Sequence, residues 1–107
     1  MANEEIMKIK DVILTAIPSA EKICLFGSHA YGTPNDDSGY DFYVAIPNGN
    51  MRGIDAAQSV YRIMRGASKK PVDILAGTVE TFGRRSKVKM TLERNVANKG
   101  VVLYARR

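Results

Sequence analysis

The sequence predicts an α/β (α+β) domain with a small mixed β-sheet flanked by helices. Three observations carry this. Apolar residues recur at helical spacing in two long segments. Short β-branched and aromatic runs lie between them, bounded by turn residues. The resulting order is helix, strand, turn, strand, helix, strand and two further helices. At 107 residues the chain is long enough for one domain over 1–107 with one modest core.

Residues 3–17 read as a helix, because Ile6, Ile9, Ile13 and Ala16 share a face and Pro18 follows the end. "KICLF" (22–26) is a short apolar run suited to a buried strand. "GSHAYG" turns the chain and opens a short helix. "YDFYVAI" (40–46) reads as a second strand, closed by "PNGN". Residues 52–65 form the next helix, with Ile54, Ala57, Tyr61 and Met64 on one side and Gly66 as a stop. Val72–Ala76 reads as a third strand. Thr78 is placed to cap a short helix ending near Gly83. Ser86 is placed to cap another, with Val88, Leu92 and Val96 inward, and "VVLYA" is a last strand or extended tail.

Composition narrows the function classes. The chain is 45% hydrophobic and 25% charged, as ordinary globular proteins are. No apolar run approaches the roughly 20 residues that span a bilayer. The charged start "MANEEIMKIK" is unlike a signal peptide, and the single cysteine, Cys24, has no internal disulfide partner. The expected location is therefore cytoplasmic. The net charge of +5 is concentrated in "GRRSKVKMTLER" and "ARR". Such a patch attracts phosphates, but few aromatics accompany it, so a base-stacking nucleic-acid platform is not supported.

The chemistry-bearing residues are few. Gly27-Ser28 follows a strand, where a glycine lets backbone approach a phosphate and a serine adds a hydroxyl and an N–H. Asp41 interrupts an aromatic and β-branched strand, and Asp73 does the same in "PVDILA". An ionised acid buried in such a run is costly without a partner. Two acids on neighbouring strands beside a phosphate-cradling turn fit metal-assisted phosphoryl or nucleotidyl transfer. Gly39 shares the strand parity of Asp41 but carries no ligand.

Gly27-Ser28, ten residues, then Gly39-Tyr40-Asp41, with "AYGT" after the turn and a later strand acid, resembles the minimal nucleotidyltransferases of the DNA polymerase β superfamily. Their signature is Gly-Ser, ten residues, Asp-x-Asp, and the similarity covers roughly residues 21 to 105. The resemblance implies a nucleotidyltransferase fold and transfer of a nucleoside monophosphate from ATP or another NTP with Mg²⁺. It implies that Gly27 and Ser28 hold the β- and γ-phosphates, that Asp41 ligates metal, and that Asp73 is the third carboxylate, ligating metal and helping to activate the attacking hydroxyl. Gly39 stands where the family has its first metal-ligating Asp, so activity is expected to be impaired and Gly39→Asp to raise it.

The resemblance also implies partners. Small members are often paired with a helical HEPN protein, commonly a ribonuclease toxin that the nucleotidyltransferase modifies as its antitoxin. Self-association is the other expectation, with helix 52–65 and "VVLY" as candidate surfaces. A catalytically degenerate nucleotide-binding or partner-binding module is the alternative. An aminoglycoside-modifying role fits poorly, because a cationic drug calls for an acidic pocket and this chain is basic. Asp37 shares the strand parity of residue 39 but lies roughly 7 Å away along an extended chain, in what reads as loop, so it and Asp36 are poor substitutes for the missing ligand. His29, Cys24, Tyr31, Tyr43 and Tyr104 each have an ordinary structural or surface reading beside any role at a site.

Overall fold

The computed structural model describes residues 4–32, 39–49, 51–66 and 68–106, with the side chain of Tyr31 left out. Its elements are α1 (Glu4–Ala16), β1 (Lys22–Phe26), α2 (Ser28–Tyr31), β2 (Tyr40–Ile46), α3 (Gly53–Ile63), β3 (Val72–Thr78), α4 (Val79–Arg85), α5 (Leu92–Lys99) and β4 (Val101–Ala105). The four strands form one mixed sheet in the order β3-β2-β1-β4. β2 runs parallel to β3, and β1 is antiparallel to both β2 and β4. The parallel pair needs a crossover, and α3 supplies it.

Strand alternation divides the core between the two faces of the sheet. Phe42, Val44 and Ile46 of β2 point to one face, where Ile6, Ile9 and Ile13 of α1 and Ala56 and Val60 of α3 cover them. Cys24, Phe26 and Tyr43 point to the other, where Val96 of α5, Leu92 and Phe82 meet them. β2 is central and buried along nearly its whole length, which explains its run of large apolar residues. Cys24 is one of these packed side chains, and burial pushes its thiol pKa up, away from nucleophilic use.

α3 ends at Ile63 and α4 at Arg85, each two residues from the sequence reading, and the larger difference is at the start of α5. Ser86 ends α4 rather than starting α5, and Val88 is exposed. The cap of α5 is Thr91, whose side chain accepts from the Arg94 N–H. Its single hydroxyl proton is shared between the carbonyls of Arg85 and Val88, at 2.7 and 2.9 Å, so the connector folds back on itself. Both Ser86 and Thr91 are good N-caps by type, and the connector's geometry chose between them.

Two contacts fix the edge on which β3 lies. The Tyr61 hydroxyl accepts a 2.7 Å hydrogen bond from the Ile74 N–H of edge strand β3. Glu5 accepts from the Tyr40 hydroxyl at 2.7 Å and from the Lys69 N–H at 3.1 Å, tying α1 to the start of β2 and to the approach to β3. The Tyr40 bond, followed by that from Lys69, holds the Glu5 carboxyl below the usual carboxylate range. Ile74 is a buried residue, so Tyr61→Phe leaves its N–H without that acceptor. We expect a loss of about 1 kcal/mol in urea denaturation, with circular dichroism unchanged; an unaltered midpoint would show that the bond contributes nothing.

Candidate active site

The site is assembled by strand register. Asp41 is the second residue of β2, paired with Phe26 on β1 and with Asp73 on β3. Residues paired in register project to the same face, so the two carboxylates stand side by side on the face that also carries Phe26 and Tyr43. Desolvation raises the Asp41 pKa above the usual carboxylate range, and the charge and hydrogen bond of Asp73 raise it further. Charge on His29 opposes that shift.

Gly27 closes the other side of Asp41. It follows β1 at φ 78°, in the positive region that L side chains rarely adopt. A Cβ built on it would run into Oδ2 of Asp41. The absence of a side chain is therefore required twice, by backbone conformation and by space. Ser28 opens the four-residue helix α2 directly afterwards, and the Ala30 N–H returns to the Gly27 carbonyl at 3.0 Å. The tight turn brings His29 back over the start of β2, with its ring 4.5 Å from that of Tyr40. Sequence reasoning treated His29 as incidental. Its position immediately after Gly-Ser was the available signal, because one helical turn there folds onto the neighbouring strand.

Gly39 has a second character that sequence did not reveal. A Cβ at this position would lie 2.6 Å from the Pro71 carbonyl oxygen and 3.1 Å from the Pro71 Cβ. The backbone here is drawn against the approach to β3, and the Tyr40 N–H donates to the same Pro71 oxygen at 2.9 Å. An aspartate at 39 would require this entry to open. Asp36 and Asp37, the substitutes considered from sequence, and the Tyr31 side chain lie outside what is described.

Farther along the same face, Tyr43 donates to Glu93 Oε2 at 3.2 Å, and Arg85 Nε donates to Oε1 at 2.9 Å. Burial, then the charge of Glu93, pushes the Tyr43 pKa up. Desolvation pushes Glu93 upward, but the hydrogen bond and charge of Arg85 outweigh it and hold Glu93 low. Gly77 makes this possible, since a Cβ there would lie 2.5 Å from the Tyr43 hydroxyl. Tyr43 is thus a packing residue that fastens α5 to the sheet, and one cation of the basic "GRRSKVK" stretch is engaged internally. Tyr104 packs at the margin of the opposite core, on β4.

Asp41 and Asp73 offer the hard oxygen donors that suit one Mg²⁺, an ion that takes one or two protein carboxylates and completes its shell with water and phosphate. No group of three His, Cys, Asp or Glu suited to a metal occurs among the described residues. The two described acids fit a single ion shared with a bound triphosphate.

Two substitutions test this geometry. Gly27→Ala forces a side chain into both a positive-φ position and the Asp41 carboxylate. It should destabilise the fold by about 1–3 kcal/mol in chemical denaturation. Asp41→Asn should do the reverse at neutral pH. An acid with a raised folded pKa binds its proton more tightly folded than unfolded, so it lowers stability as pH rises through that interval. The asparagine variant should melt higher than the unaltered metal-free chain at pH 7, and the gap should close below the ordinary carboxylate range. A gap independent of pH would show that the fold does not hold the Asp41 pKa above the ordinary carboxylate range.

Comparison with known proteins agrees with the fold. The nucleotidyltransferase domain family matches residues 6–98. No curated relative matches the sequence. Among solved structures, a toxin–antitoxin complex with AMP-PNP is similar over 98% of this chain and 76% of that one, at a TM-score of 0.71 and 23% identity. A mutant of the toxin–antitoxin MntA-HpeT is similar over 100% and 76% of the two chains, at 0.67 and 24%. A candidate nucleotidyltransferase from Sulfolobus solfataricus aligns over 99% and 91%, at 0.60 and 20%. The fold is thus that of the nucleotidyltransferases, and the family match spans most of the sequence: the chain belongs to the nucleotidyltransferase domain family.

Proposed function

We propose that this protein transfers a nucleoside monophosphate from Mg²⁺–ATP, or another NTP, to a hydroxyl on a partner protein, breaking the bond between the α- and β-phosphates and releasing pyrophosphate, at a rate limited by the glycine at position 39. The observation that carries the reading is the in-register pairing of Asp41 with Asp73 against the backbone of Gly27. In this reading Asp41 and Asp73 hold the metal, which when bound offsets triphosphate charge and favours attack by the acceptor oxygen. Gly27 and Ser28 position the β- and γ-phosphates, because the turn brings backbone close to the acid pair with no side chain between. Asp73, the more exposed of the two acids, faces the incoming hydroxyl. The solved relative with AMP-PNP makes an adenine nucleotide the first to test. The toxin–antitoxin relatives make a partner protein, of HEPN type, the first acceptor. A single domain over 1–107, working in the cytoplasm alone or as a homo-oligomer, completes the reading.

A second reading is favoured by one observation. Gly39 is closed against Pro71, as befits a strand entry refitted around a lost ligand. In that case the domain binds nucleotide or partner without transfer.

The experiment combines binding and turnover. AMP-PNP is titrated into the protein with and without Mg²⁺, and α-labelled ATP is incubated with the protein and the product of the adjacent reading frame. Metal-dependent binding and slow label transfer are expected. Asp41→Asn should weaken binding at least tenfold, and Asp73→Asn should abolish transfer. Binding with no transfer selects the second reading, and neither binding nor transfer refutes both. Gly39→Asp is paired with Gly39→Ala to separate crowding from charge. Both should destabilise, by about 1–3 kcal/mol as overpacking does, while only the aspartate should raise turnover per folded molecule. Equal turnover in the two would remove position 39 from the chemistry.

A further inference from the structure

A groove runs along the seam between α3 and β3. Ile54, Ala57, Tyr61 and Leu75 line its middle. Past Tyr61 it continues to Met64, Val72, Arg65 and Lys70. Ile54 is 62% exposed, Tyr61 45% and Leu75 42%. On α3 the lining residues recur at helical spacing, so they form one continuous stripe. A contiguous exposed apolar strip of this kind marks an interaction surface rather than scattered surface residues.

The shape of the groove selects its occupant. β3 is an edge strand, and an edge ordinarily invites a further strand. Here α3 lies across that edge. The Tyr61 hydroxyl takes the Ile74 N–H, and Gly53 approaches the Ala76 carbonyl so closely that a Cβ would collide with it. Strand addition at β3 is thereby blocked, while a channel between helix and strand remains for the apolar side chains of a helix.

Charge selects further. Arg62 sits one helical turn beyond Gln58 of the groove, and Arg65 and Lys70 line its far end. At the near end Arg52 is paired with Asp55 at 3.0 Å, so the excess of positive charge lies at the far end. A twofold contact centred on that far end would set these cations against the same cations of a second copy. An acidic rim on a different protein would complement them.

We propose that the α3–β3 groove docks an amphipathic helix of a partner protein whose apolar stripe is flanked by Asp and Glu. This surface adjoins the acid pair, because Leu75 follows Asp73 on the same face of β3, but the proposal does not depend on whether nucleotide transfer occurs.

The test uses the full chain and two synthetic helical peptides. Both carry leucines at i, i+3, i+4 and i+7; one has glutamates flanking the stripe and the other lysines. The glutamate peptide should shift backbone amide resonances of 53–65 and 72–78. It should bind at least tenfold more tightly than the lysine peptide, and weaken as salt is raised. Ile54→Glu, at a solvent-exposed position, should reduce its affinity at least tenfold and leave AMP-PNP binding unchanged. Arg65→Glu should narrow the preference between the peptides. Equal or absent binding of the two peptides, resonance shifts confined to other surfaces, or indifference to Ile54→Glu would overturn the proposal. A concentration-dependent dimer in sedimentation that Ile54→Glu abolishes would assign the groove to a second copy and overturn it as well.

Discussion

The parallel pairing of β2 with β3 is the constraint on which the rest of this molecule depends. It places Asp73 beside Asp41, and it can form only because α3 crosses from one strand to the next. A shift of one residue in this register would send one acid to the buried face, where an unpaired carboxylate is costly. The large apolar residues of α1, α3 and β2 prevent that shift, since Phe42 and Ile74 must stay on the core face together. Core packing thus determines the separation of two charges that repel each other.

The acid pair is also held from its other side. Gly27 fits against Asp41 because it lacks a side chain, and His29 returns over the strand on the same turn. Repulsion between the carboxylates works against the metal-free fold and is relieved by a bound cation. In the proposed reading, such an arrangement trades stability for a place where a cation would be held. At the opposite end of the same face, Glu93 is enclosed by Tyr43 and Arg85, and its charge is matched internally. Similar residue types on one sheet face therefore sit differently: the Glu93 carboxylate is matched by Tyr43 and Arg85, while Asp41 and Asp73 set two like charges side by side.

Gly39 shows how a single position combines chemistry with packing. Read as a missing carboxylate, it concerns only metal binding. In the fold it is also a point of close backbone approach, with the Pro71 oxygen filling the space a Cβ would take. The two strands converge there, and Tyr40 and Glu5 tie the same corner to α1. The chemical change and the steric change belong to one structural adjustment at the strand entry.

The sequence by itself determined which elements form and which residues carry charge into them. The strands at 22–26 and 40–46 were legible because β-branched and aromatic runs are short-range signals, and the helices because apolar spacing is local. The Gly-Ser spacing, Asp41 and Asp73 were legible for the same reason, together with the family they point to. Only the tertiary structure decided that the two acids stand in register, since that pairing spans a whole crossover helix and its packing. It alone placed His29 near Asp41, closed Gly39 on Pro71, and chose Thr91 over Ser86 as the cap of α5. Each of these depends on what a residue meets across space, and no local pattern of residue types carries that information.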